Sequence, residues 1–244
     1  MDFRKLSQLS HDQLVDIARS LEQSISGSRK SLERRISEDF KLYENYLADH
    51  NRKYRRISRL GNEGKEGVTY LVSAEASGDE YAMKVFRRHK SASTLRKEAD
   101  LQEQAAQYGA APYVIEVDTV MKTIVMDKMD RHFIEVLYRQ NGVLSESQQK
   151  AVIKLFKRLD EAGVFHGDSN ILNYMFKGKR LYLIDYGMSK PIDNPLIKKL
   201  KTSTPNMDLM SLAFILKMKE LGIPSSSCRV IAEEVSRKSI HPSS

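Results

Sequence analysis

Three residues of this chain have the types and spacing of a metal-assisted phosphoryl-transfer site. Asp168 and Asn173 stand five positions apart in His166-Gly167-Asp168-Ser169-Asn170-Ile171-Leu172-Asn173, and Asp185 follows twelve positions later in Leu183-Ile184-Asp185-Tyr186-Gly187. A phosphoryl group in flight spreads negative charge over its oxygens, so metal ions must neutralise it. Asn173 and Asp185 offer hard oxygen ligands suited to Mg²⁺. Asp168 can orient or deprotonate an acceptor hydroxyl. Upstream, Gly61, Gly64 and Gly67 precede Lys84, which lies in an alternating apolar stretch, and Glu98 follows on a helical pattern. Backbone amides of a glycine-rich turn can cover phosphates without side-chain clashes. Lys84 can hold phosphate oxygens and Glu98 can hold Lys84. Glu103 competes for that second role, and the Lys97-Glu98-Ala99 context favours Glu98.

The elements that must position these residues are legible in the hydrophobic pattern. Ile57, Leu60, Val68, Tyr70 and Val72 suggest strands interrupted by the glycines, and Ala76-Ser77-Gly78-Asp79 reads as a hairpin turn into a return strand over Tyr81–Phe86. Thr94–Tyr108 reads as a helix ended by Gly109 and Pro112. Val114–Val117 and Thr119–Met126 read as a strand pair, and Gln148–Ala162 as an amphipathic helix. Val164–Phe165, Ile171–Phe176 and Leu181–Ile184 read as short strands, and Met207–Leu221 as an apolar helix. The tail over 224–244 is expected to fray. Before Arg56 the spacing of Leu6, Leu9, Leu14, Ile17 and Leu21, and then of Leu32, Ile36, Phe40, Tyr43 and Leu47, predicts helices. The order, strands first and helices later, predicts an α+β fold.

Composition bounds the remaining classes. The chain has 244 residues, 41% hydrophobic and 30% charged, an ordinary globular balance that excludes a wholly disordered chain. No apolar run is long enough to span a bilayer, and residues 1–10 lack the apolar core of a Sec signal. A single cysteine, Cys228, excludes an internal disulfide framework and favours a reducing, cytoplasmic setting. The formal net charge is +8, with the excess in 51–100 and 151–200. Such a surface suits nucleic acid, an anionic membrane or a polyphosphate ligand, or is simply a solvated face.

The ordered set of motifs resembles the eukaryotic-type protein kinase-like superfamily over about residues 55–222. Ala82-Met83-Lys84 is similar to the family's Val-Ala-Ile-Lys, His166-Gly167-Asp168 to His-Arg-Asp, and Asp185-Tyr186-Gly187 to Asp-Phe-Gly. Arg96-Lys97-Glu98-Ala99 is similar to the Arg-Arg-Glu-Ala of the small kinase of the tRNA-modifying KEOPS complex and of the lipopolysaccharide core kinases. The resemblance implies a two-lobed fold with a reduced C-lobe, using ATP and Mg²⁺. It implies Asp168 as base, Lys84 on the phosphates held by Glu98, and Asn173 and Asp185 on metal. Gly61, Gly64 and Gly67 would cover the phosphates. Met126 would be the gatekeeper, Asp127 and Met129 would meet adenine through their backbone, and Met175 would lie under the base. His166 is read as structural, packing beneath the metal site. Asp208 resembles the aspartate that steadies the catalytic loop.

Departures from the family pattern carry equal weight. The glycines are spaced by three and three. Gly167 replaces the arginine that reads a phosphorylated activation loop, so activation by loop phosphorylation is not expected. Asn170 replaces a lysine that touches the γ-phosphate, so another cation is needed or turnover is lower. The trimmed C-lobe is similar in architecture to small bacterial effector kinases of the OspG/NleH type and to compact viral kinases, which would place it in a host cytoplasm. The expected organisation is a helical segment over 1–50, an N-lobe over 51–125, a reduced C-lobe over 126–230 and a tail over 231–244. Residues 9–40 are similar to SAP-type DNA-binding modules, against a docking hairpin. That segment is net −1, which favours the docking hairpin, and the basic run Arg52, Lys53, Arg55, Arg56 and Arg59 suits nucleic acid, an acidic membrane or a partner, or is a solvated face. The favoured function is a Ser/Thr protein kinase with a protein substrate and an activating protein partner. The alternatives are a small-molecule, sugar or lipid kinase, and a pseudokinase scaffold.

Overall fold

The computed structural model describes residues 28–38, 53–61, 64–87 and 89–240. The helical patterns proposed for 1–27 and 39–50, including most of the SAP-like segment, lie outside the described residues. Contacts divide the chain into two compact units, one of residues 1–91 with 120–122, the other of 92–119 with 123–244. The fold class is α+β, as the pattern predicts.

The first unit holds a helix, α1, over residues 29–38, and three antiparallel strands, β1 (Tyr54–Leu60), β2 (Gly67–Ala74) and β3 (Glu80–Phe86). Leu32 and Ile36, one turn apart on α1, are fully buried. The β2–β3 hairpin turns through the expected Ala76–Asp79 segment, where Gly78 takes a φ of +75° that glycine adopts without strain. β1 does not bury an alternating face. Its register against β2 shifts between Arg56 and Ser58, and Ile57, one of the apolar residues that suggested the strand, is exposed. A bulge changes which face the following side chains meet.

The second unit is built on the hydrophobic core. Its helices are α2 (Ala92–Gln107), α3 (Phe133–Arg139), α4 (Glu146–Glu161), a single turn α5 (Pro195–Lys198), α6 (Ser211–Glu220) and α7 (Arg229–Ile240). Its strands are β4 (Val114–Asp118) paired with β5 (Thr123–Asp127), β6 (Arg131–His132) beside β8 (Tyr174–Lys177) and β9 (Arg180–Leu183), and β7 (Val164–Phe165) beside β10 (Lys190–Pro191). Phe133, Phe156, Tyr174, Phe176 and Phe214 form an aromatic cluster with ring centroids 5.4–6.2 Å apart. Edge-on and tilted rings at that spacing add to the hydrophobic gain of burying them.

Local chemistry explains where boundaries differ from the sequence reading. α4 starts before Gln148 because Ser145 caps it, accepting the Gln148 N–H while the Gln148 side chain accepts the Ser145 N–H. The strand expected from Ile171 starts at Tyr174, because the Asn170 side chain accepts the Leu172 N–H and winds Ile171–Asn173 into a 3₁₀ turn. The helix expected from Met207 opens with a π-turn over Asn206–Met210. The segment expected to fray after Pro224 is ordered instead as α7. Ile231 and Cys228 are buried, Val230 donates to the Gln149 side chain (2.9 Å), and Ser227 bonds the backbone at Gly142 and Leu144.

Candidate active site

The loop between β7 and β8 carries the candidate base. Gly167 sits at φ +78°, and an added Cβ would lie 3.3 Å from the Met188 carbonyl oxygen. Glycine at this point is therefore a backbone requirement. Asp168 then turns back on its own loop: one carboxylate oxygen accepts the Asn170 N–H (3.0 Å), the other the Asn173 side-chain amide (2.8 Å). Asn173 spends its NH₂ on Asp168, which leaves its carbonyl oxygen as a hard ligand for a cation. The Ile184 N–H donates to the Asn173 backbone oxygen (2.9 Å), which brings the residue before Asp185 against the Asn173 turn. Asp185 itself is held at φ +66°, a left-handed conformation that non-glycine residues adopt at a cost and that clusters at functional sites.

His166 sits beneath this loop, fully buried. Its Nε2 faces the Ile184 carbonyl oxygen (3.1 Å) and its Nδ1 the Asp168 carbonyl oxygen (3.2 Å). A neutral ring donates to one of them. The Asp168 N–H also approaches Nδ1 at 3.4 Å and needs an acceptor, so the proton belongs on Nε2. Burial lowers the His166 pKa, against a smaller opposing pull from the Ile184 hydrogen bond and the Asp168 charge. The ring is thus a neutral strut tying the loop to the segment before Asp185, the structural role expected for it.

One expectation needs correction. Asp208 does not steady this loop through its side chain: its carboxylate takes the hydroxyls of Thr202 and Thr204. The residue that does so is Asn206, whose side-chain oxygen accepts the His166 N–H (3.1 Å) and whose NH₂ donates to the Val164 oxygen (2.8 Å). Asp160 on α4 fixes Asn206 in turn, accepting its backbone and side-chain N–H groups and the Met207 N–H. Sequence reasoning missed both residues. Asp160 takes the first N–H groups of this helix, which no helix pairs internally, and nothing in the spacing of the sequence announces that a residue 46 positions upstream supplies the acceptor.

Glu98, on α2, is buried with 3% of its surface exposed, whereas Glu103 is exposed. Its carboxylate lies within 4.8 Å of that of Asp185. Two carboxylates this close repel unless a cation lies with them, which fits a site meant to hold positive charge. α2 is fixed by Gln102, whose side chain donates to the Pro112 oxygen (3.1 Å) and contacts the Met126 sulfur, and by Gln104, which donates to the Ala162 oxygen. Met126 is buried at the end of β5, while Asp127, Met129 and Met175 are half-buried. The Asp127 side chain pairs with Lys177 (2.9 Å) and its N–H donates to the Tyr113 oxygen, so its backbone carbonyl is the group left to meet a base.

In the first unit, Gly64 donates to the Gly67 oxygen (2.9 Å), and Gly61 takes φ +71°. At Gly67 a Cβ would lie 2.1 Å from the Val85 carbonyl oxygen, so this glycine permits the close approach of β2 to β3. Lys84, half-buried on β3, lies 3.6 Å from Glu66, which also binds Lys90 at 2.9 Å. Both ammonium groups stand over the Phe86 ring, at 4.8 and 4.3 Å from its centre. Glu66 and Lys90 were not foreseen; a glutamate between glycines reads as an ordinary loop residue.

Known proteins resemble this chain over about half of its length or somewhat more. It is 27% identical over 170 residues to "KEOPS complex subunit Bud32" of Pyrococcus abyssi, covering 60% of this chain and 77% of that protein. It is 28% identical over 144 residues to "Probable bifunctional tRNA threonylcarbamoyladenosine biosynthesis protein" of Methanocorpusculum labreanum, covering 55% and 26%. It is 26% identical over 121 residues to "Probable serine/threonine-protein kinase BUD32 homolog" of Archaeoglobus fulgidus, covering 46% and 58%. No protein-family model matches. This likeness, with the α+β architecture, supports a protein kinase-like fold. It spans about a quarter of the length of the bifunctional relative. Two of these relatives are named for Bud32 and the third for tRNA threonylcarbamoyladenosine biosynthesis, so the likeness to effector and viral kinases is not supported. The likeness to the small KEOPS kinase, read from Arg96–Ala99, is. Among the described residues no helix is long and apolar enough to cross a membrane.

Proposed function

We propose that this chain is an ATP- and Mg²⁺-dependent phosphotransferase acting on a Ser or Thr hydroxyl of a protein. The observation that carries this reading is the hold on Asp168. Both its oxygens are engaged by Asn170 and Asn173, and the Asn173 turn is bonded to the residue preceding Asp185. A base beside two hard oxygen ligands is what transfer of a phosphoryl group needs. In this reading Asp168 accepts the hydroxyl proton, Asn173 and Asp185 bind Mg²⁺, Lys84 binds the α- and β-phosphates, and Glu98 orients Lys84. Gly61, Gly64 and Gly67 cover the phosphates, and Met126, Asp127, Met129 and Met175 frame the base. Mg²⁺ supplies neutralisation of the charge developing on the transferred group.

A second reading is favoured by the relatives named for KEOPS and for tRNA threonylcarbamoyladenosine biosynthesis. In it, the chain turns over ATP for a tRNA-modifying assembly and binds a protein partner there. The deciding experiment incubates the purified chain with γ-labelled ATP and Mg²⁺ in a lysate, alongside Asp185→Asn. Label on a protein band, reduced at least about a hundredfold by Asp185→Asn, supports the first reading, since Mg²⁺ loses a charged ligand. Asp185-dependent release of phosphate without labelled protein supports the second. Wild-type labelling in Asp185→Asn would sink both.

A further inference from the structure

Arg87 ties the glycine-containing turn of the first unit to the end of β3. Its N–H donates to the Glu66 carbonyl oxygen (2.9 Å) and its Nε–H to the Lys65 carbonyl oxygen (3.0 Å). The Gly64 N–H donates to the Gly67 oxygen (2.9 Å). With that backbone held, the Glu66 carboxylate is left between two lysines. Its Oε2 lies 2.9 Å from the Lys90 Nζ and 3.6 Å from the Lys84 Nζ. Only the first of these is a hydrogen bond. Lys90 is also the more buried of the two, 8% exposed against 13%. Attraction between opposite charges strengthens as they approach and as water is excluded, so Lys90 has the stronger hold on Glu66. The three groups together carry one net positive charge, which suits an anion arriving at Lys84. Glu66 is itself an anion within ion-pair range of Lys84, so it competes with any phosphate for that ammonium.

We propose that Lys90 is a positioning residue for nucleotide binding: it holds the Glu66 carboxylate so that Lys84 can exchange it for phosphate. This rests on the phosphotransferase reading above and adds to it a residue outside its motifs. In the empty site Glu66 screens both ammonium groups, which otherwise repel each other over the Phe86 ring. When phosphate takes Lys84, Glu66 keeps its hydrogen bond to Lys90 and no buried cation loses its partner. Without Lys90, Glu66 turns to Lys84, and nucleotide must first break that pair.

The test is MgATP binding by titration calorimetry on the full chain, in the wild type, Lys90→Met, Glu66→Gln and the double variant. Lys90→Met keeps an unbranched apolar stem beside Phe86 and removes the charge. It is expected to raise the Kd about fivefold or more. Glu66→Gln should lower the Kd about twofold or more, because the competitor loses its charge. In the Glu66→Gln background, Lys90→Met should change the Kd by less than about twofold, since no carboxylate remains to be held. Lys90→Arg keeps a charged donor and should stay within about twofold of the wild type. An equal loss from Lys90→Met in both backgrounds overturns the proposal, because Lys90 would then touch phosphate itself or serve packing alone. A loss in Lys90→Arg as large as in Lys90→Met overturns it too. Should Lys90→Met fail to fold, Glu66→Gln alone decides: binding no tighter than the wild type overturns the proposal. A wild type that binds no MgATP, or a Kd unmoved by Lys84→Met, removes the phosphotransferase reading itself and this inference with it.

Discussion

The segment from His166 to Asp185 and the strand that carries Lys84 hold their polar groups by opposite means. In the first, nearly every bond is a hydrogen bond of fixed geometry between groups close in the chain or tied to the core. Asp168 is bonded by Asn170 and Asn173, His166 by Asn206, and Asn206 by Asp160. In the second, Lys84 and Lys90 share Glu66, whose side chain is 43% exposed. Hydrogen bonds inside a low-dielectric core specify one geometry. An ion pair reaching into solvent is weak and exchangeable. A candidate base and metal ligands gain from the former, since misplacement by a fraction of an ångström costs rate. In the proposed reading, a lysine that exchanges one anion for another gains from the latter.

The largest effect should come from breaking the fixed side. Asp160→Ala leaves three N–H donors of Asn206 and Met207 without their acceptor, and should cost about 3 kcal/mol of stability by denaturant unfolding. A loss below about 1 kcal/mol would mean the loop is held elsewhere. Gly67→Ala tests the packing of the Lys84 unit. The added Cβ meets the Val85 oxygen at 2.1 Å, so the strands must part, at about 1–3 kcal/mol. A thermal midpoint equal to the wild type would refute the close approach.

His166 gives the comparison a pH dependence. Burial holds its folded pKa below the ordinary histidine value of 6.5, so below that pH the unfolded chain binds a proton that the folded chain refuses. Stability from this group is complete above pH 6.5. It is lost as pH falls toward the folded pKa, by up to about 1.4 kcal/mol per pH unit. Unfolding measured at pH 7.5 and 5.5 should show that loss in the wild type and less of it in His166→Gln. Equal slopes would place the titration elsewhere. The smallest effect should be Glu66→Gln, which removes the charge facing the largely buried Lys84 and Lys90 but keeps an oxygen that can accept from them, and should shift stability by about 1 kcal/mol. A larger loss would show that the Lys84 side is as rigidly built as the Asp168 side.

The sequence alone determined the α+β order and named the candidate site residues. Asp168, Asn173 and Asp185 announce themselves by chemical type and separation, and the neighbours of Glu98 favour it over Glu103, in agreement with its burial. These are local facts. Hydrophobic period marked β2, β3, α2, α4 and α6 because amphipathic elements must turn one face inward. α3 went unread because a helix from Phe133 to Arg139 is too short for its period to stand out.

Only the tertiary structure decided that Asn206 rather than Asp208 meets the loop, and that α7 docks where a frayed tail was expected. It also decided that Glu66 faces Lys84 and, 24 positions along the chain, Lys90. Such pairings join residues whose types are common and whose spacing carries no signal. They arise from how elements with buried faces pack, which brings together groups far apart in the chain, as Asp160 and Asn206 are.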